Sequence, residues 1–291
     1  MITNSYKLLF NQQLYICMPI HLKFSSFSAF RIKKQTIMAS KNSFTIDSHV
    51  LGSVIVEPQT NHKKSASVIF LHGSGGSGLE LKSSLQFVMG SKKMAFPHIE
   101  LIYPTAPLQP YTPLCGEKSN VWFDRKAVHA NVEEDRKSVD LMSQKIYTFI
   151  EDELVAKGTP YNRIIIGGFS MGGAMALHVI YRYCPQLAGV FTLSSFLNYD
   201  SLVYDDLKTR RSLAIDNTLP PLFSCHGDCD DLVSFEDGKG TFDNLLANGV
   251  SGEFHTIKGI GHEIQKFEID KLRNWILSRL ENNEDLSPTS S

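Results

Sequence analysis

The run RIIIGGFSMGGAMALHVI, residues 163–180, joins a β-branched apolar segment to a glycine cluster and then to a helix-forming pattern, with Ser170 at the crest. The apolar segment reads as a short buried strand, and the Ala/Met/Leu segment after it as a helix. Gly168 and Gly172 are what a very sharp strand-to-helix turn requires, because side chains at those two positions would collide with the incoming helix. Such a turn lifts the hydroxyl of its central residue off the edge of a sheet. It also aims the unpaired N–H groups of the helix start at the same point, so a nucleophile and an anion stabiliser come from one turn. The competing reading is a glycine-rich turn whose serine only caps the helix.

The strand-then-helix rhythm recurs along the chain. Strands are expected at SVIVEP (53–58), SVIFL (67–71), IELIYP (99–104), RIIIGG (163–168), GVFTLS (189–194), PLFSCHG (221–227) and EFHTIKG (253–259). Helical patterns occupy Val132–Lys157, Ala174–Tyr183, Phe235–Leu246 and Ile264–Leu280. This alternation predicts an α/β fold, a mostly parallel central sheet with helices on both faces and ligands bound beyond the carboxyl ends of the strands.

One α/β domain is expected over residues 44–280, between an extension over 1–43 and a polar tail over 281–291; that length leaves little room for a separate lid domain. Residues 1–46 carry Lys7, Lys23, Arg31, Lys33, Lys34 and Lys41 and no acid, so the extension reads as an unstructured segment or an organellar targeting segment. No apolar run reaches the roughly 18 residues of a membrane span. A net charge of −1 gives no reason to expect nucleic acid or an acidic membrane as a partner. The five cysteines are odd in number and lack the spacing of a secreted disulfide scaffold, which points to a reducing, cytoplasmic location, with an organelle as the alternative. Cys225 and Cys229 flank a short loop, but no second pair has zinc-site spacing, and no metal is expected.

A serine hydroxyl needs a base, and the base an orienting carboxylate. In a sheet of this kind they follow the serine in the order Asp or Glu, then His, on loops after later strands. Asp228, Asp230 and Asp231 follow PLFSCHG, and Gly261, His262 and Glu263 follow EFHTIKG. We assign Asp230 because it lies far enough past the strand end to turn back. Asp228 stays open as the alternative or as a turn former. His262, in a glycine-bounded loop, is the expected base, while His178, His226 and His255 read as packed or surface residues. The glycine-rich segment His72–Gly78 follows SVIFL and lets backbone N–H groups approach an oxyanion; those of Ser74 and Met171 are expected to form the hole. Read as a phosphate cradle, the same glycines lack G-K-[ST] and G-x-G-x-x-G. Gly73, Gly75 and Leu232 are placed in the substrate site.

Taken with FLHGSGGSG, IYPTAPLQPYTP, NVWFD, GFSMGGA, CHGDCDDLV and IGHE, the chain resembles the acyl-protein thioesterase and lysophospholipase family of small α/β-hydrolases over about residues 66–280. The resemblance implies the α/β-hydrolase fold, a catalytic role for the aspartate opening D-x-L-V (Asp230 here), and an acyl site lined by Trp122 and Phe123. It also implies cleavage of acyl thioesters by way of an acyl-enzyme, without a cofactor, on S-acylated proteins or small acyl esters. A short-chain carboxylesterase or lysophospholipase is the close alternative, and a hydrolase-fold binding protein the alternative of another class. The chain departs from the family at Ser74, where an apolar residue is usual, at Met171, where glutamine is usual, and at Asp231, which replaces a proline. It also lacks the N-terminal cysteine by which relatives are lipidated, so no stable membrane anchor is expected.

Overall fold

The computed structural model describes residues 43–48, 51–60, 63–90, 94–214 and 218–282. The extension expected over 1–43 lies, but for Ser43, outside the described residues, as does the tail beyond Asn282. The strands are β1 (Phe44–Ser48), β2 (Gly52–Glu57), β3 (Ala66–Leu71), β4 (Ile99–Pro104), β5 (Leu108–Pro110), β6 (Lys118–Asn120), β7 (Ile164–Phe169), β8 (Gly189–Leu193), β9 (Leu222–Gly227) and β10 (Gly252–Ile257). The helices are α1 (Gly78–Met89), α2 (Arg136–Ile150), α3 (Met171–His178), α4 (Leu202–Ser212), α5 (Phe235–Ala247) and α6 (Lys266–Arg279).

Eight strands form one sheet in the order β1-β2-β4-β3-β7-β8-β9-β10, and β5 pairs with β6 outside it. Every pairing from β4 to β10 is parallel, whereas β1 and β2 join antiparallel at one edge. The central strands show why their sequences are continuously apolar. On β3, Ile69 and Leu71 enter the core on one face, while Val68 and Phe70 enter the core on the other. On β7, Ile164 and Ile166 go to the first face and Ile165 to the second. A strand covered on both sides has no polar face to alternate with. The first core is completed by α2, α3, α4 and α5, for example through Val139, Met175, Val203 and Leu245; the second by α1 and α6, through Leu85 and Leu272.

The seven expected strands are all present, together with β1 and the β5–β6 hairpin, which the pattern did not announce. Two expected helices end differently: α2 and α3 each pass into a π-helical turn, over Glu151–Val155 and Val179–Tyr183. Because the parallel strands point the same way, the loops after β3, β7, β9 and β10 gather at one end of the sheet, and those loops carry His72–Gly78, Ser170, Asp230 and His262.

Candidate active site

The turn from β7 to α3 is as sharp as its glycines imply. A Cβ on Gly168 would lie 2.3 Å from the Gly172 carbonyl carbon, and one on Gly172 2.3 Å from the Leu71 carbonyl oxygen. Ser170 between them has φ 53° and ψ −123°, a sparsely populated conformation costing about 1–3 kcal/mol. It is held there by its own N–H, which donates to Leu193 O at 2.8 Å, and by its carbonyl, which accepts from Gly173 N and Ala174 N at 3.0 and 3.3 Å. The Ser170 hydroxyl makes no capping hydrogen bond to α3. Capping therefore does not account for the serine, since a capping residue has extended φ/ψ and a side-chain oxygen bonded to the helix's first N–H groups.

After β9 the chain turns Asp230 back under the sheet end. Its carboxylate is buried: Oδ1 accepts from Leu232 N at 3.0 Å and Val233 N at 2.9 Å, and Oδ2 accepts from His262 Nδ1 at 2.8 Å. Burial alone would raise its pKa, but hydrogen bonds from His226 and His262 and the charge of His262 hold it well below the usual carboxylate range. The bond to Asp230 fixes the proton of a neutral His262 on Nδ1 and leaves Nε2 with its lone pair. The His262 ring packs 4.8 Å, centroid to centroid, from Phe169, the residue before Ser170. Asp228 goes elsewhere: Oδ1 accepts from Gly259 N at 2.6 Å, so it closes the turn. His226, which the sequence left as a packed or surface residue, is buried and also reaches Asp230, with Nε2 3.4 Å from Oδ2 and 3.0 Å from Val233 O. Its position four residues before Asp230, at a strand end, was the available signal.

The loop after β3 is braced from several sides. His72 Nε2 accepts from Ala106 N at 2.9 Å, so Nδ1 carries the proton and donates to Gly73 O at 2.7 Å. Burial lowers the His72 pKa to about 4, keeping the ring neutral. Gly75 N donates to Asn120 O, and a Cβ on Gly73 would lie 3.4 Å from Ser170 Cβ. Ser74 Oγ donates to Met171 Sδ at 3.6 Å, and Trp122 N to the same sulfur at 3.3 Å. The two residues expected to receive an oxyanion are thus side by side. Among the described residues, neither Ser74 N–H nor Met171 N–H is given to a protein acceptor.

Two residues expected to line the acyl site are buried. Trp122 is 0% exposed and its Nε1 donates to His72 O at 2.7 Å, so it braces the loop. Phe123 is buried beneath the Arg125 guanidinium, 5.3 Å from ring centroid to Cζ. Leu232 keeps an exposed side chain beside Asp230, and Gly73 and Gly75 stay in the loop beside Ser170. Arg125 itself was missed: it is buried and its Nη2 donates to Ser74 Oγ at 3.3 Å. Among the described residues no helix is long and apolar enough to cross a membrane.

Residues 51–279 match the family model described as phospholipase/carboxylesterase. Lysophospholipase-like protein 1 of Mus musculus is 47% identical over 231 residues, which is 79% of this chain and 93% of that protein. Acyl-protein thioesterase 1 homolog 1 of Dictyostelium discoideum is 37% identical over 232 residues, 78% of this chain and 96% of that protein. The crystal structure of Zea mays acyl-protein thioesterase 2 superposes with a TM-score of 0.66 at 26% identity, covering 78% of this chain and 98% of that one.

Proposed function

The chain belongs to the phospholipase/carboxylesterase family of α/β-hydrolases and is a serine hydrolase, and from that premise we propose that it cleaves acyl thioesters, releasing fatty acyl groups from protein cysteines. The observation that carries the reading is the 2.8 Å bond from His262 to a buried, ionised Asp230, on the loop end that also holds the strained Ser170.

In the proposed reaction His262 Nε2 takes the Ser170 proton as Oγ attacks the thioester carbon. Asp230 holds the Nδ1–H tautomer and stabilises the imidazolium, and the N–H groups of Ser74 and Met171 receive the oxyanion. Losing one such donor costs about 3–4 kcal/mol of transition-state stabilisation. Collapse expels the cysteine thiolate, which takes the proton from His262, and leaves an acyl-serine. Water then attacks the acyl carbon with His262 as base, and breakdown frees the carboxylic acid and returns the proton to Ser170 Oγ.

The thioester reading draws support from relatives named acyl-protein thioesterases. A short-chain carboxylesterase or lysophospholipase passes through the same tetrahedral chemistry, and the match to a family model described as phospholipase/carboxylesterase supports it. Turnover of a palmitoylated peptide is to be compared with that of butyryl and acetyl esters. Hydrolysis of the peptide at a kcat/KM comparable to or above that of the short esters supports depalmitoylation, and inactivity on the peptide rejects it. Cys184, Cys225 and Cys229 are in no disulfide, which supports action in a reducing compartment, and we place it in the cytosol.

A further inference from the structure

Arg125 is 5% exposed, yet among the described residues it pairs with no carboxylate side chain. The other well-buried cations differ: Lys82 pairs with Glu57, and Arg182 with Asp140 and Asp206. The Arg125 guanidinium lies over the rings of Phe123 and Phe196, 5.3 and 5.6 Å away. These contacts attract the cation but leave its N–H donors to find acceptors elsewhere. Nη2 donates to Ser74 Oγ at 3.3 Å, and Nε is buried with no acceptor. Asp124, the adjacent acid, has its oxygens committed to Thr112 N at 2.8 Å, Thr112 Oγ1 at 2.5 Å and the Arg125 backbone N–H at 2.9 Å. The Tyr111 phenol, itself 5% exposed, lies against the guanidinium and supports its charge, while its own O–H is given to no acceptor. Burial lowers the Arg125 pKa, and the proximity of Tyr111 and Asp124 opposes that in part.

A buried charge of this kind is costly unless an opposite charge meets it. A strut for Ser74 needs no charge, because a neutral donor would hold the hydroxyl without the desolvation. The position is what gives the cation a use. Ser74, which Arg125 contacts, touches Met171 Sδ, and Gly73 lies against Ser170. The planar guanidinium fork is suited to the paired oxygens of a carboxylate or phosphate, and a phenol O–H adds a third donor.

We propose that Arg125, with Tyr111, forms a specificity site for an anionic group, a carboxylate or a phosphate, carried by the substrate beside the scissile bond. The proposal rests on Ser170 being the nucleophile. It implies a substrate whose acyl chain ends in a carboxylate or whose leaving group bears a phosphate, and the two sources are separable.

Matched substrate pairs in which the anionic group is either free or methyl-esterified test this on the full chain. On the acyl side, 4-nitrophenyl hydrogen adipate is compared with its methyl ester. On the leaving-group side, the acetyl ester of 2-hydroxyethyl phosphate is compared with that of 2-hydroxyethyl dimethyl phosphate. The wild-type protein is expected to favour the anionic member of one pair by about tenfold or more in kcat/KM, which identifies the source. Arg125→Met erases that ratio, Arg125→Lys keeps part of it, and Tyr111→Phe lowers it by a smaller factor. Equal rates within both pairs for the wild type overturn the proposal. So does an Arg125→Met protein that loses the same factor on charged and neutral members, which is the behaviour of a strut. The wild-type ratios and Tyr111→Phe decide the matter even where Arg125→Met does not fold. Fluorophosphonate labelling of Ser170 on the same preparations separates the two failures: unlabelled wild type rejects the nucleophile, whereas labelled protein without a charge preference rejects the anion site alone.

Discussion

His226 Nε2 stands 3.4 Å from Asp230 Oδ2, the oxygen that also receives His262 Nδ1–H. Two imidazoles therefore converge on one buried carboxylate oxygen, and the nearer one is oriented while the farther one helps keep the carboxylate ionised. Replacing His226 by Leu removes a donor from a buried charge. We expect Asp230 to become easier to protonate and kcat/KM to fall about tenfold, the size of a weak bond to a charged group. His226→Gln, which keeps a donor near the same place, is expected to recover most of that loss. A pH–rate profile for the three proteins checks it: the acidic limb moves to higher pH in the leucine variant, and an unmoved limb would leave His226 as packing alone.

Much of this arrangement was legible in one dimension because each catalytic candidate sits just past a short segment that reads as a strand, most plainly the apolar run before Ser170. Ile164–Ile166 and Val68–Leu71 are apolar at consecutive positions because both sheet faces are covered, and that marks the central strands. The choice between Asp228 and Asp230 was open in sequence because both follow the same strand; the Gly259 N–H that claims Asp228 comes from 31 residues away. The helices α1 and α4 escaped notice for local reasons. One starts at the end of a glycine-rich loop, and the other, LVYDDLKTRRS, is mostly polar and buries only Val203, Tyr204 and Leu207. Arg125 escaped for a different reason: a single basic residue is by default solvated, and only Phe123 and Phe196 folding over it reveal that it is not.

The backbone at Ser170 stores strain that serves position, not stability. Ser170→Gly supplies a residue at home at φ 53° and is expected to raise unfolding free energy by about 1 kcal/mol while abolishing turnover and fluorophosphonate labelling. Ser170→Ala loses activity equally but keeps the strain, so its stability should stay near wild type. Urea denaturation of the three proteins gives the ordering, and an alanine variant as stable as the glycine variant would show that strain contributes nothing.

Gly172 lies against the backbone of Leu71, where a Cβ would sit 2.3 Å from a carbonyl oxygen that cannot rotate away. Gly172→Ala must therefore push α3 off β3 or reopen the turn. Overpacking of this kind costs about 1–3 kcal/mol, and the displaced α3 carries Met171 away from Ser74. We expect labelling of Ser170 to slow by far more than the stability loss explains, measured at a temperature where the variant is still fully folded by circular dichroism.

A pH dependence of stability is expected from Glu268, in the segment that follows His262. Glu268 is buried at the start of α6 in a capping box, Oε1 accepting from Gln265 N at 2.6 Å. Burial raises its pKa from 4.5 to about 7, the Gln265 N–H opposing and Glu263 adding to the rise. The folded protein thus holds this proton more tightly than the unfolded chain, so stability from this group is full below about pH 4.5 and declines as pH rises toward 7. Asp230 acts in the opposite sense: its folded pKa is depressed, and its contribution is lost only in strong acid. Glu268→Gln retains an acceptor for Gln265 N–H and removes the buried charge. Relative to wild type it should be about 3 kcal/mol more stable at pH 8, from 1.36 kcal/mol per unit of pKa, and nearly equal at pH 4.5. Urea midpoints at the two pH values measure the difference, and a variant offset by the same amount at both would mean that the carboxylate does not titrate in this range.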